Sequence, residues 1–307
     1  MAVSCCGRWI SREVSDAFAV DRAAIERRLD EICSNYMVGL DGNLADAIRY
    51  GLKSPGKRIR PLLLLFAYRA AGGQADATLL ACAPEVVHAY SLVHDDLPCM
   101  DDDDMRRGRP TVHRVYGTRT AILAGAVMIP LAGRLVEEGM RFLGSSREST
   151  REVLRALLDG AGSSGMIGGQ LRDLAGEGRS LSLDERETIH SAKTGALIVA
   201  SVRMGALAAG AGDDETAALT RYADSIGLAF QITDDVLDVT STTVALGKTS
   251  GRDAALGKST YPALLGVDGA RQRAQALIDD GLESLASRGL LTQELAQVAN
   301  FMVTRTS

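Results

Sequence analysis

The chain has 307 residues, 46% of them apolar and 24% charged, with a formal net charge of −5. That is an ordinary globular composition with ample apolar material for a large core, and its acidic balance argues against a general nucleic-acid binder while leaving room for local basic sites. Five cysteines are irregularly spaced, with no CxxC pair and no zinc-type Cys/His cluster, which fits reduced thiols in a cytoplasmic protein.

Taken in chain order, the elements are helical almost throughout. Apolar residues recur at helical spacing over Asp16–Met37, with charges on the other face. "SPGKRIRP" follows (Ser54–Pro61) and sets Gly56, Lys57, Arg58 and Arg60 just before a helix, where glycine lets backbone approach an anion. "PLLLLFAYRAAGG" opens with Pro61 in a first turn and stops at Gly72-Gly73. Ala83–Asp96 is apolar nearly all round and predicts a central, buried helix.

Beyond it, helices are predicted over Arg119–Leu143, Ser146–Met166, Leu183–Ala209, Asp214–Val239 and Ala270–Ser287. The longest apolar-leaning stretch, Ala121–Gly133, is interrupted by Gly125 and Pro130, short of the roughly 18 residues that span a bilayer. The N-terminus lacks the apolar run of a signal peptide. No linker or fixed-period repeat divides the chain, so the expectation is one all-α domain over residues 1–307, cytoplasmic and without a membrane span.

Two acidic sites stand out. Six aspartates fall within Asp95–Asp104, and Arg106 and Arg107 then reverse the sign. A charge run alone is usually a solvated loop. Here, however, Asp95-Asp96 ends a strongly apolar helix, where carboxylates are costly without partners. Pro98 should end that helix and let Asp101 fold back toward Asp95.

The second site, "QITDDVLD", places Asp234 and Asp238 four apart on one helix face beside Asp235. Such oxygen donors suit a hard cation such as Mg2+, which is usually held by carboxylates together with substrate phosphates. The basic residues then read as a phosphate inventory: Lys57, Arg58 and Arg60, then Arg106 and Arg107, then Lys193 and Thr194 in "SAKTG", then Lys248 and Lys258. "GKTS" at Gly247 is no P-loop, because Thr242 stands where the upstream glycine is required.

The motifs "GKRIRP", "HAYSLVHDDLPCMDDDDMRRGRPT", "GMIGGQLRDL", "HSAKTGAL", "FQITDDVLDV" and "LGKTSGRDAALGKSTYPALL" occur in that order. Together they resemble the short-chain trans-isoprenyl diphosphate synthases, over roughly Leu52 to Gly266. The resemblance implies an all-α bundle around a deep central cavity, usually a homodimer. It implies that Asp95, Asp96 and Asp101 hold Mg2+ on an allylic diphosphate, that Asp234 and Asp238 supply the opposite wall, and that three ions bind in all. Arg106, Lys193, Thr194, Gln231, Lys248 and Lys258 would contact the same diphosphate. Lys57, Arg60, His88 and Arg107 would hold isopentenyl diphosphate.

The growing tail should run down the helix that carries Asp95, so Ser91 and Tyr90 lie about one turn, ~5–6 Å, deeper. Tyr90 as a bulky plug points to a C15 product, with C20 as the alternative; Tyr90 as a plain core aromatic is the other reading. Three departures from the family pattern stand out. Ala126 replaces a common Asp, Pro130 should kink its helix, and Ser54-Pro55 stiffen a loop that is usually richer in glycine. Two rival functions remain: a terpene cyclase, which has no use for Lys57, Arg60, His88 and Arg107, and a non-catalytic partner subunit, which should have a degraded acidic site.

Overall fold

The protein was analysed as a computed structural model that describes residues 18–176, 178–179, 181–240 and 260–305. Lys248, Lys258, Cys5 and Cys6 lie outside the described residues. The elements are α1 (Ala19–Asn35), α2 (Gly42–Leu52), α3 (Ile59–Ala70), α4 (Thr78–Asp95), a hairpin of β1 (Met105–Arg106) and β2 (Arg109–Pro110), α5 (Val112–Tyr116), α6 (Thr118–Phe142), α7 (Arg147–Ala161), α8 (Met166–Ala175), α9 (Leu183–His190), a π-helical turn (Ser191–Gly195), α10 (Ala196–Ala209), α11 (Asp213–Thr240), α12 (Tyr261–Ala286) and α13 (Gln293–Thr304). The all-α expectation holds, the two-residue strands apart.

The core follows from the sequence pattern. Leu62, Leu63, Leu64, Leu65 and Phe66 of α3 are all buried, each worth roughly 1.5–3 kcal/mol against exposure. Helix α3 packs on α10, α4 on α6, and α11 along α12. Glycines set the closest approaches. A Cβ on Gly205 of α10 would stand 2.3 Å from the Leu64 carbonyl oxygen, and one on Gly139 of α6 would stand 2.9 Å from the Leu80 nitrogen. Backbone therefore rests on backbone, which brings the charged ends of α4, α10 and α11 to one end of the bundle.

Several elements differ from expectation. The helix foreseen over Ser146–Met166 ends at Ala161, because Gly162 and Gly165 let the chain fold tightly there, and α8, which begins at Met166, was not foreseen. Helix α12 is broken at Gly266, whose φ is 72: its second part contains the helix foreseen from Ala270, and a first segment from Tyr261, capped by Thr260 with Pro262 in its first turn, was not foreseen. Helix α2, capped by Asp41, and α13, capped by Thr292, were not foreseen, nor were α5 and the hairpin. Helix α6 runs on through Pro130, whose ring lies on an exposed face beside the exposed Ala126. The stretches Thr118–Phe142 and Leu183–Ala209 are each long and apolar enough to cross a bilayer by length and composition, which corrects the shorter estimate from the sequence. Both pack within the bundle, α6 on α4 and α10 on α3 and α7.

Gly205→Val is expected to destabilise the fold by about 1–3 kcal/mol, because α3 backbone occupies the new side chain's space. Gly133→Ala, whose Cβ meets only Leu154 at 3.8 Å, is expected to stabilise by about 0.5–1 kcal/mol. Urea midpoints of the two variants check the contrast.

Candidate active site

The first acidic wall is the C-terminal end of α4 and the turn after it. The helix stops at Asp95 with Asp96 as its cap, before Pro98. The chain then folds back as the sequence foresaw: the Asp101 amide donates to the Asp95 carbonyl at 2.8 Å, and the Asp102 amide to the Leu97 carbonyl at 3.1 Å. Asp95 and Asp101 keep partial access, whereas Asp96 is buried and accepts from Arg106 Nε at 2.6 Å. Asp96, foreseen as a metal ligand, is thus engaged by Arg106. His94 plays a helix-end role, its Nε2 standing 3.1 Å from the Ile122 carbonyl across Gly125.

Burial pushes the Asp95 carboxyl up to about 6, with the Asp101 and Asp96 charges adding to the effect and Lys193 and Arg106 opposing it. Burial raises Asp96 as well, against the pull of Arg106. Asp95 and Lys193 are desolvated by surrounding protein yet retain accessible surface, as do His88 and Arg60. That combination marks side chains lining a cleft between helices. Two further clefts, of about 640 and 720 Å3, open elsewhere, and neither is lined by any of these residues.

The second wall is the C-terminal half of α11. Asp234 is partly exposed and pairs with Arg305 NH1 at 2.7 Å. Asp235 is buried and accepts from the Tyr261 amide at 3.1 Å. Asp238, one turn beyond Asp234, is buried, and its Oδ2 has no hydrogen-bond partner among the described residues.

Between the walls lies the π turn of "SAKTG". Gly169 lets α8 sit directly on it, since a Cβ there would stand 2.2 Å from the Lys193 nitrogen. Lys193 Nζ donates to Asp173 at 2.7 Å, and against the lowering effect of burial Asp173, then Asp101 and Asp95, raise its proton affinity above the ordinary value. Thr194 donates to Gln231 at 3.0 Å, one turn before Asp234 and Asp235.

The basic side is built from the loop before α3 and from the hairpin. Burial lowers Lys57, as does Arg305, while Asp234 raises it. Arg107 donates to the Pro55 carbonyl and so ties the hairpin to that loop. His88 is driven well below its ordinary value by burial and then by Arg60, Arg107, Arg106 and Arg58, which makes it a neutral imidazole amid arginines. The charged groups act on one another across this end of the bundle. Lys193 opposes the shift of Asp95, Thr194 bonds Gln231 one turn before Asp234, and Lys57 feels both Asp234 and Arg107. Arg107 in turn feels Arg106 and Asp96.

Tyr90 is buried, its ring edge-on to His94 with centroids 5.1 Å apart, and its hydroxyl is raised by burial and by Asp95. Ser91 beside it is partly accessible and donates to the His88 carbonyl. Sequence reasoning missed Asp173, Gln170 and Arg305. Asp173 and Gln170 sit inside "GMIGGQLRDL", where a buried acid and amide were signal enough; both Gln170 amide atoms are buried without a hydrogen-bond partner among the described residues. Arg305 lies beyond the resembling stretch and gave no signal.

The donor set fits Mg2+. It consists of hard carboxylate oxygens: on the second wall Asp238 Oδ2 is buried without a hydrogen-bond partner among the described residues, and on the first wall burial raises the proton affinity of Asp95, with Asp101 and Asp96 adding to it. Among the described residues no three such ligands converge on one point, because Arg106 and Arg305 hold Asp96 and Asp234.

Residues 41–294 match the family model described as polyprenyl synthetase. The chain is 46% identical over 268 residues to farnesyl diphosphate synthase of Escherichia coli, covering 85% of this chain and 89% of that one. It is 42% identical over 249 residues to a chloroplastic geranylgeranyl pyrophosphate synthase of Arabidopsis thaliana, covering 79% and 69%. A solved geranyltransferase of Helicobacter pylori, complexed with magnesium and isoprenyl diphosphate, aligns with TM-score 0.77 at 32% identity, covering 91% of this chain and 94% of that one.

Folding raises the proton affinity of Asp95, so its ionised form opposes folding above about pH 6 and the penalty fades as pH falls toward the ordinary carboxylate value. In EDTA near pH ~7.5, Asp95→Asn is expected to melt higher than the wild type, by at most about 3 kcal/mol, with the gap closing toward pH ~4. Thermal melts at both pH values check this, and a lower melting temperature for the variant at the higher pH refutes it.

Proposed function

The chain belongs to the polyprenyl synthetase family, and we propose how its two acidic walls and basic loop divide the work of that family's reaction. The protein is a short-chain prenyltransferase: it joins isopentenyl diphosphate head to tail to an allylic diphosphate and gives farnesyl (C15) or geranylgeranyl (C20) diphosphate. The proposal concerns the residues. Asp95 and Asp101 on one wall, with Asp234 and Asp238 on the other, would hold Mg2+, three ions in all, while Asp96 stays paired with Arg106. Bound there, the ions would supply positive charge against that developing on the departing pyrophosphate.

Lys193, with Thr194, Gln231 and Arg106, orients the allylic diphosphate between the walls. Lys57, Arg60, Arg107 and the neutral His88 hold the diphosphate of isopentenyl diphosphate. The allylic C–O bond breaks to an allylic cation and pyrophosphate, and the isopentenyl double bond attacks the cation. A proton then leaves the new tertiary cation for the pyrophosphate. No enzyme nucleophile takes part, and the apolar wall around Tyr90 keeps water from the cation. The observation that carries this reading is that the π turn joins the two walls: Lys193, held by Asp173, carries its charge to Asp95 and Asp101, while Thr194 donates to Gln231, which in turn bonds Asp235 on α11. A cyclase would have no use for the arginines around His88.

We further place the working form as a homodimer in the cytoplasm. Helix α6 exposes Ile122, Leu123, Ala126, Ile129 and Pro130 as one stripe, an apolar face that a second copy would cover. Cys33, Cys82 and Cys99 are free thiols, as suits a reducing compartment.

Incubation with Mg2+, geranyl diphosphate and labelled isopentenyl diphosphate is expected to give mainly C15 product, and Tyr90→Ala to lengthen it by one or more C5 units. Chromatography of the dephosphorylated products reads both, and an unchanged length in the variant removes the plug. Light scattering is expected to give twice 32.5 kDa for the wild type and a single 32.5 kDa chain for Leu123→Glu with Ile129→Glu.

A further inference from the structure

Between Lys57 and Arg60 lies a third cation, Arg58, that is out of reach of any substrate. It is 5% exposed. Its Nε donates to Glu26 at 2.8 Å and its NH1 to Glu85 at 2.6 Å. Its NH2 donates to the Ser54 carbonyl at 3.0 Å, with longer contacts to Glu26 and the Leu52 carbonyl. One guanidinium thereby gathers α1, α4 and the whole loop that leads into α3. The Arg58 backbone sits at φ 54, a left-handed conformation that costs a non-glycine residue about 1–2 kcal/mol and persists only where the surroundings enforce it.

Of the groups that hold Arg58, Glu85 is the buried carboxylate. It is 4% exposed on α4, three residues before His88 and so on the same side of that helix. Its charge also raises Arg60 and Arg107 against the burial that lowers both. A buried carboxylate is expensive, and a single bond to Arg58 does not require it to stand within reach of two further arginines. That placement serves the cluster around His88.

We propose that Glu85 is a positioning residue for the isopentenyl diphosphate site. Through Arg58 it fixes the loop that presents Lys57 and Arg60, and its buried negative charge keeps Arg60 and Arg107 gathered about His88. The inference rests on the assignment of those four residues to isopentenyl diphosphate made above. A purely structural Glu85 would alter stability and both substrates alike; a positioning Glu85 acts on one of them.

The test is steady-state kinetics of the full chain with Mg2+, varying isopentenyl diphosphate and geranyl diphosphate separately. Glu85→Gln is expected to raise KM for isopentenyl diphosphate by about tenfold or more, with KM for geranyl diphosphate within about twofold of wild type. Glu26→Gln, at a carboxylate whose side chain is 45% exposed, keeps the fold and is expected to give the same selectivity at roughly threefold. If Glu85→Gln fails to fold, Arg58→Met with Glu85→Met removes both charges together, which protein interiors tolerate, and the selective rise is expected there too. An unchanged isopentenyl KM, or a rise shared equally by both substrates, overturns the proposal. Calorimetric binding of isopentenyl diphosphate to the same variants separates the two readings. A wild type that binds it without elongating the allylic substrate defeats the functional assignment, and the variants' binding constants still judge Glu85.

Discussion

Carboxylates at the ends of apolar helices need a counter-charge, and the arrangement of this bundle follows from where each counter-charge comes from. Asp96 at the end of α4 takes Arg106 from the hairpin. Asp234 on α11 takes Arg305 from beyond α13. Asp173 on α8 takes Lys193 from the π turn, and Glu85 takes Arg58 from the loop before α3. Every pair joins two different elements, from 10 residues apart for Asp96 and Arg106 to 71 for Asp234 and Arg305. Each costs desolvation, so none is a cheap source of stability. What the pairs supply is position, since helices that already pack backbone to backbone are held in register by charges that tolerate little displacement. Arg106 and Arg305 also occupy oxygens that the reading above gives to or sets beside metal ions.

Local conformation shows the same concentration at one end of the molecule. Among the described residues, the non-glycine residues with positive φ are Arg58, Asp102 and Arg107. All three belong to the charged end: Arg58 in the loop of Lys57, Asp102 in the fold-back after Asp95, and Arg107 with Gly108 at the hairpin turn. A two-residue hairpin turn asks for positive φ at both positions, which usually selects Asn and Gly. An arginine accepts that strain here and is held by its bond to the Pro55 carbonyl. The π turn at Lys193 is a fourth irregularity of the same kind, an extra residue that turns a side chain out of helical register.

The all-α class and the buried α3 and α4 were legible because their signal is periodic apolar content, and both acidic walls were legible because six aspartates in ten positions and a second DDxxD stand out in any sequence. The elements that were missed carry no such signal. Helix α2 and the hairpin are short, and helix α13 lies beyond the resembling motifs. The early end at Ala161 of the helix foreseen over Ser146–Met166 depended on glycines whose role appears only once Gly165 packs on the Gly160 carbonyl. Pairing was illegible for the same reason: nothing local says that Arg305 belongs to Asp234 or that Arg58 belongs to Glu85, because the separations are 71 and 27 residues.

The doubled aspartates reveal their logic only in three dimensions. Adjacent residues on a helix point about 100° apart, so two neighbouring carboxylates cannot both face one cleft. In the first pair Asp95 keeps access and Asp96 is buried against Arg106. In the second Asp234 keeps access and Asp235 is buried against the Tyr261 amide and Gln231. The leading carboxylate of each pair therefore keeps access to solvent, Asp234 while paired with Arg305, and the trailing one fastens its helix to a neighbouring element. Asp96 fixes α4 to the hairpin that carries Arg106 and Arg107, and Asp235 fixes α11 to the start of α12. A repeated acidic motif that reads as redundant charge is a division of labour between an exposed oxygen pair and the anchor that aims it.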